Sequence, residues 1–136
     1  MKDILKMARV QLLVIPIFIF FKAIRPSVLK NNPPEFIQVF LLSFPNFCEA
    51  IIGVLTVTMI GLVLTKRLKI RNQTIYIIAT ILAAIFVITQ EVKIHNLGGN
   101  NIYDPYDVVF SIIGLIVGFL IISWMKPKIQ PNSDVN

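Results

Sequence analysis

The chain has 136 residues, 56% of them hydrophobic and only 15% charged, with a mean hydropathy of +0.78. Ordinary soluble domains carry about 25% charged residues, so this composition excludes one, and the length suits a single small unit without a soluble catalytic domain. The net charge of +6 comes from short basic segments that flank apolar runs, as membrane orientation signals do. No basic face carries interleaved aromatics, so nucleic acid is not an expected partner. Cys48 is the only cysteine; it reads as a small buried hydrophobe, and no internal disulfide exists.

Lys2, Lys6 and Arg9 precede an apolar run from Val10 to Phe21. No small-x-small cleavage pattern follows and Lys22 closes the run, so an uncleaved first span is expected over about residues 6–24, with Pro16 a possible bend and Gln11 on its inner side. The segment from Arg25 to Glu35 holds Pro26, Pro33 and Pro34 and reads as a polar loop. The apolar stretch from Phe36 to Leu64 exceeds the roughly twenty residues of one upright span. The favoured division is a short interfacial helix over Glu35 to Ser43 and a second span over residues 45–65; one long helix kinked at Pro45 is the alternative. Asn46, Glu49, Gly53 and Thr56 share a face of this span at about 100° per residue.

Lys66, Arg67, Lys69 and Arg71 follow with no acid among them, in the shortest loop, which the positive-inside rule places in the cytoplasm. A third span is expected over residues 74–91, with Thr80, Ala84, Val87 and Glu91 on one face. The connection that follows is rich in Gly and Asn and includes His95, Gly98 and Gly99. The fourth span, over residues 105–125, opens with Asp104 at the N-cap and Pro105 at the first helical position. Asp104, Asp107, Ser111, Gly114 and Gly118 fall on one face, and so small and polar a stripe should meet other helices or water rather than lipid. Lys126, Pro127 and Lys128 stop the span, and residues 129–136 read as a polar tail.

The expected fold is therefore all-α: one membrane domain over residues 1–128, a four-helix transmembrane bundle with a short interfacial helix before the second span. Both termini are expected in the cytoplasm, with Glu35, Glu49, Glu91, Asp104 and Asp107 at the outer face. Acids at the edge of a span are costly and point to function, so Asn46, Glu49, Gln90, Glu91, Asp104, Asp107 and Ser111 form a candidate outward binding cluster. Simple complementation of a helix N-terminus is the competing explanation for Asp104 and Asp107. Gly53, Gly114 and Gly118 are expected at close helix contacts. Glu91, His95 and Asp104 are too weakly spaced to predict a metal site, Ser111, His95 and Asp107 lack a nucleophile motif, and no cofactor is expected. Asn72-Gln-Thr74 fits a glycosylation sequon but lies on the predicted inner side.

The outer half of the chain resembles the VanZ-like family of small bacterial membrane proteins. Gln90 and Glu91 match an acid and a glutamine that end one span in that family, Gly98 and Gly99 its Gly-containing loop, and Asp104-Pro-Tyr-Asp107 the Asp opening of the last span, completed by Gly114 and Gly118. Ser111 stands where the family usually has Asn, and Asn46-Phe-Cys-Glu49 where it has a Lys and a His. The resemblance covers about a third of the chain. It implies a non-catalytic component of the bacterial plasma membrane that recognises a lipid, a lipid-linked cell-wall precursor or a membrane partner, with an effect on sensitivity to the glycopeptide teicoplanin. The runner-up reading is a minimal membrane enzyme or an ion or proton pathway built on the outward carboxylates.

Overall fold

In the computed structural model, α1 spans Lys2–Leu29, α2 Glu35–Leu64, α3 Asn72–Glu91 and α4 Pro105–Met125. The structure describes residues 2–65, 70–91 and 104–128; the expectations for the basic loop 66–69, for His95, Gly98 and Gly99, and for the tail 129–136 lie outside the described residues. All four helices are long and apolar enough to cross a membrane. The protein is an all-α, multi-pass bundle of four such helices. Leu12, Leu13, Ile81, Leu82, Ile116 and Leu120 are exposed on its sides, where hydrocarbon would meet them.

Two expected boundaries are corrected. No separate interfacial helix precedes the second span, because residues 35–64 form one continuous helix with Pro45 inside it. Pro45 is buried between Ser43 and Cys48, also buried. Breaking the helix there would strand several backbone groups in apolar surroundings, whereas the proline removes a single N–H. Likewise α1 runs through Pro26 to Leu29. The connection to α2 is only residues 30–34, closed by bonds from the Asn31 and Asn32 amides to the Val28 and Leu29 carbonyls at 3.1 and 3.2 Å. Asn32 takes a left-handed conformation (φ 45°) that turns the chain, and Gln38 Nε2 donates to the Pro33 carbonyl at 2.7 Å. At 30 residues α2 is roughly 45 Å long, more than the ~30 Å hydrocarbon thickness, so it tilts or protrudes.

α2 is the hub. It packs against each of the other three helices, most extensively against α4, and α3 closes onto α4 as well. The α2–α4 contact is made possible by glycine: a Cβ at Gly114 would collide with the Phe47 carbonyl oxygen and lie 2.8 Å from the Ala50 Cβ, and one at Gly118 would lie 3.0 Å from the Val54 Cβ. The pairs Ala50–Gly114 and Val54–Gly118 advance together, so α2 and α4 are parallel. The pairs Gly53–Ala83 and Gly61–Ile75 advance in opposite directions, so α2 and α3 are antiparallel. Without a hydrophobic force between helices in lipid, such backbone approach supplies much of the association energy.

α1 is held chiefly by α2. Gln11 Nε2 donates to the Thr56 hydroxyl at 2.7 Å and the Ile52 carbonyl at 3.2 Å. Towards the other end, Phe21 meets Phe40 and Phe44 with ring centroids 5.7 and 4.5 Å apart, and Phe40 meets Phe110 of α4 at 6.2 Å. The start of α1 is tied to the end of the fold: Asp3 pairs with Lys6 at 3.1 Å and accepts from the Lys128 amide at 3.0 Å. Tyr76 donates its hydroxyl proton to the Pro127 carbonyl at 2.6 Å, so the start of α3 also lies beside the end of α4. The described chain therefore begins and ends at one end of the bundle, the one that carries Arg71, and Asp104 lies at the opposite end.

Gly114→Ala should destabilise the purified protein by about 1–3 kcal/mol, because rigid backbone faces the new methyl. Gly53→Ala should be neutral or stabilising, since its Cβ would find the Ala83 Cβ at an ordinary 3.9 Å and a helical Gly costs roughly 0.5–1 kcal/mol relative to Ala. Thermal unfolding in detergent reads both; equal melting shifts would contradict the register.

Candidate functional site: the polar end of α2 and α4

α4 starts where its sequence dictates. Asp104 is extended (φ −114°, ψ 115°), its Oδ1 accepts from the Tyr106 amide at 2.9 Å, and Pro105 fills the first helical position. Asp104 thus satisfies one of the orphan donors at the helix start, and Asp107 sits in the first turn near the positive end of the helix dipole.

Extending the α2–α4 register by two turns sets Ser43 level with Asp107 and Phe47 level with Ser111. Ser43 and Ser111 are fully buried, and Asp107 is half-buried with its Oδ1 enclosed. The Ser43 and Ser111 hydroxyls have no hydrogen-bond partner among the described residues. A buried hydroxyl left so costs about 1–3 kcal/mol relative to a satisfied one. Thr58, nearer the Arg71 end, is a third such hydroxyl. Other hydroxyls bond back into their own helices: Thr80 donates to the Tyr76 carbonyl at 2.8 Å and Thr89 to the Ile85 carbonyl at 2.7 Å.

The α2–α3 register places Glu49 level with Val87 and Asn46 level with Gln90. Asn46 and Glu49 are half-buried and Gln90 is exposed, while Glu91 closes α3. The candidate residues thus occupy one end of the bundle, but on two flanks of α2: Asn46, Glu49 and Gln90 towards α3, and Asp107 and Ser111 towards α4, with Asp104 capping the rim. Thr56, on the same stripe as Glu49, is hydrogen-bonded by Gln11 of α1. The buried face of α3 is Ile75, Tyr76, Ala79, Ala83 and Val87; of the expected stripe Val87 is buried, whereas Thr80 and Ala84 are only half-buried. Among the described residues no three His, Cys, Asp or Glu side chains are grouped to hold a metal ion.

Sequence reasoning missed Ser43. Its signal is a single hydroxyl inside the apolar run from Phe36 to Phe44. Helical spacing then puts Ser43, Phe47, Ala50 and Val54 on the face that meets α4. Comparison of the chain with protein-family models, with curated proteins and with solved structures finds no match.

Ser111→Ala should change stability by less than about 0.5 kcal/mol or raise it, because no hydrogen bond is lost and an orphaned hydroxyl disappears. Gln11→Leu should cost about 0.6–1.7 kcal/mol, the range of interhelical hydrogen bonds in membranes. Steric-trap or denaturant unfolding in detergent distinguishes them; a Ser111→Ala loss above that of Gln11→Leu would mean that the serine hydroxyl is bonded.

Proposed function

We propose that this is a VanZ-like protein of the bacterial plasma membrane, oriented with its Arg71 end in the cytoplasm, that acts without catalysis by recognising a lipid-linked cell-wall precursor or a membrane partner at its Asp104 end. The single observation that carries the reading is the pair of fully buried hydroxyls, Ser43 and Ser111, on the helix faces that the α2–α4 register brings level with Asp107 and Phe47. Native membrane interiors keep buried polar groups where they bind or transmit something, since they oppose packing. The sequence resemblance through Asp104, Asp107, Gly114 and Gly118 supports the family. The positive-inside rule supports the orientation: Arg71, Lys126 and Lys128 lie together, near the start of α1, which carries Lys6 and Arg9. A non-catalytic role is supported by the division of the described carboxylates between two flanks of α2, Glu49 towards α3 and Asp107 towards α4.

Deleting the gene in its source bacterium should shift teicoplanin sensitivity, and the wild-type chain should restore it. Asp107→Ala should fail to restore it at equal membrane abundance, while Lys30→Ala, at an exposed position in the α1–α2 connection, should restore it fully. Unchanged sensitivity and an unchanged profile of lipid-linked precursors on deletion would refute the proposal.

A further inference from the structure

At the Arg71 end, between the start of α3 and the end of α4, lies a cavity of about 550 Å³ lined by Arg71, Lys126 and Lys128 together with the polar side chains of Asn72, Gln73 and Ser123. Among the described residues no carboxylate lines it. Asp3, bonded to the Lys128 amide, is itself paired with Lys6. Lys126 is left-handed (φ 44°), and this turn carries the chain after α4 across to Tyr76 and brings Lys126 and Lys128 to the same wall. Next to the cavity lies an apolar groove of about 320 Å³ between α3 and α4, towards the middle of the bundle. Ile77 and Phe119 line both, and Thr80, Ile81, Leu115 and Ile116 line the groove alone. Trp124, 87% exposed, stands at the same end of α4, and exposed aromatic side chains at helix ends favour the bilayer interface.

We infer that this is a binding site for an anionic glycerophospholipid, its phosphate held by Arg71, Lys126 and Lys128 and one acyl chain lying in the groove between α3 and α4. Charge selects the headgroup. Three cations without an acid favour a net negative lipid and disfavour a zwitterionic one, whose ammonium would face them. Arg71 can grip a phosphate with two parallel hydrogen bonds, and the two lysines add point charge. The groove selects a lipid over a soluble anion: its walls are almost wholly apolar and face the surrounding hydrocarbon. This site is at the opposite end of the bundle from Ser43, Asp107 and Ser111, and its occupancy does not depend on what they recognise.

The test is native mass spectrometry of the intact purified protein titrated with dioleoyl phosphatidylglycerol, dioleoyl phosphatidylcholine or glycerol 3-phosphate. Phosphatidylglycerol should bind at least about tenfold more tightly than phosphatidylcholine, from roughly a fivefold gain per engaged basic residue, and glycerol 3-phosphate should bind far more weakly than either. The combined Arg71→Gln, Lys126→Gln and Lys128→Gln variant should lose that preference, whereas Lys22→Gln with Arg25→Gln and Lys30→Gln, which removes as much charge from the other end, should keep it. Ile81→Trp, which fills the groove and keeps every charge, gives a second reading should the triple variant fold poorly; it should weaken phosphatidylglycerol and leave glycerol 3-phosphate unchanged. Equal binding of the two lipids, equal loss in both charge variants, or glycerol 3-phosphate binding as tightly as phosphatidylglycerol would overturn the proposal.

Discussion

Everything in this fold depends on how near α4 comes to the backbone of α2. Gly114 sits so close to the Phe47 carbonyl that no side chain fits between them, and Gly118 repeats the approach one turn later against Val54. Packing of this kind substitutes for the hydrophobic effect, which does little between helices already in hydrocarbon. Its consequence is a fixed parallel register. That register sets Ser43 beside Asp107 and Phe47 beside Ser111, and it places the end of α4 where Tyr76 of α3 can reach the Pro127 carbonyl. One contact thereby defines the chemistry of both ends.

The two ends differ in kind. Towards Asp104 the polar groups inside the bundle are hydroxyls, carboxylates and amides, spread over two flanks of α2 and bordered by the edge-on and tilted rings of Phe21, Phe40, Phe44 and Phe110. Those rings brace α1, α2 and α4 against one another where the buried serines would otherwise loosen the interface. Towards Arg71 three cations, with Asn72, Gln73 and Ser123, line an open cavity beside an apolar groove. A protein with an enclosed polar interface at one end and a basic, lipid-accessible cleft at the other is suited to hold its own lipid while presenting a different face to something else.

Much of this was legible in the sequence, and the failures have physical causes. α3 and α4 are bracketed by charge and by the Asp104–Pro105 start, so their limits follow from local rules. The stripe Asp107, Ser111, Gly114, Gly118 follows from helical spacing alone. The ends of α1 and the continuity of α2 through Pro45 do not, because local rules give Pro26 and Pro45 their effect in water, where a broken helix finds solvent partners; inside a bundle a broken helix finds none. The phenylalanine cluster has no periodic mark in the chain, since its rings come from three helices. The division of the acids between two flanks of α2, and the basic cavity, depend on which helix each face meets. That is decided by the glycine contacts, which angular counting on single helices does not contain.

The most direct test of the central claim is solid-state NMR in lipid bilayers of protein carrying 13C at the Gly114 Cα and the Ala50 Cβ. Backbone contact in parallel register predicts a strong cross-peak, with the two carbons about 4 Å apart. Its absence at mixing times that reveal other interhelical contacts would contradict that packing and the arrangement of both ends built on it.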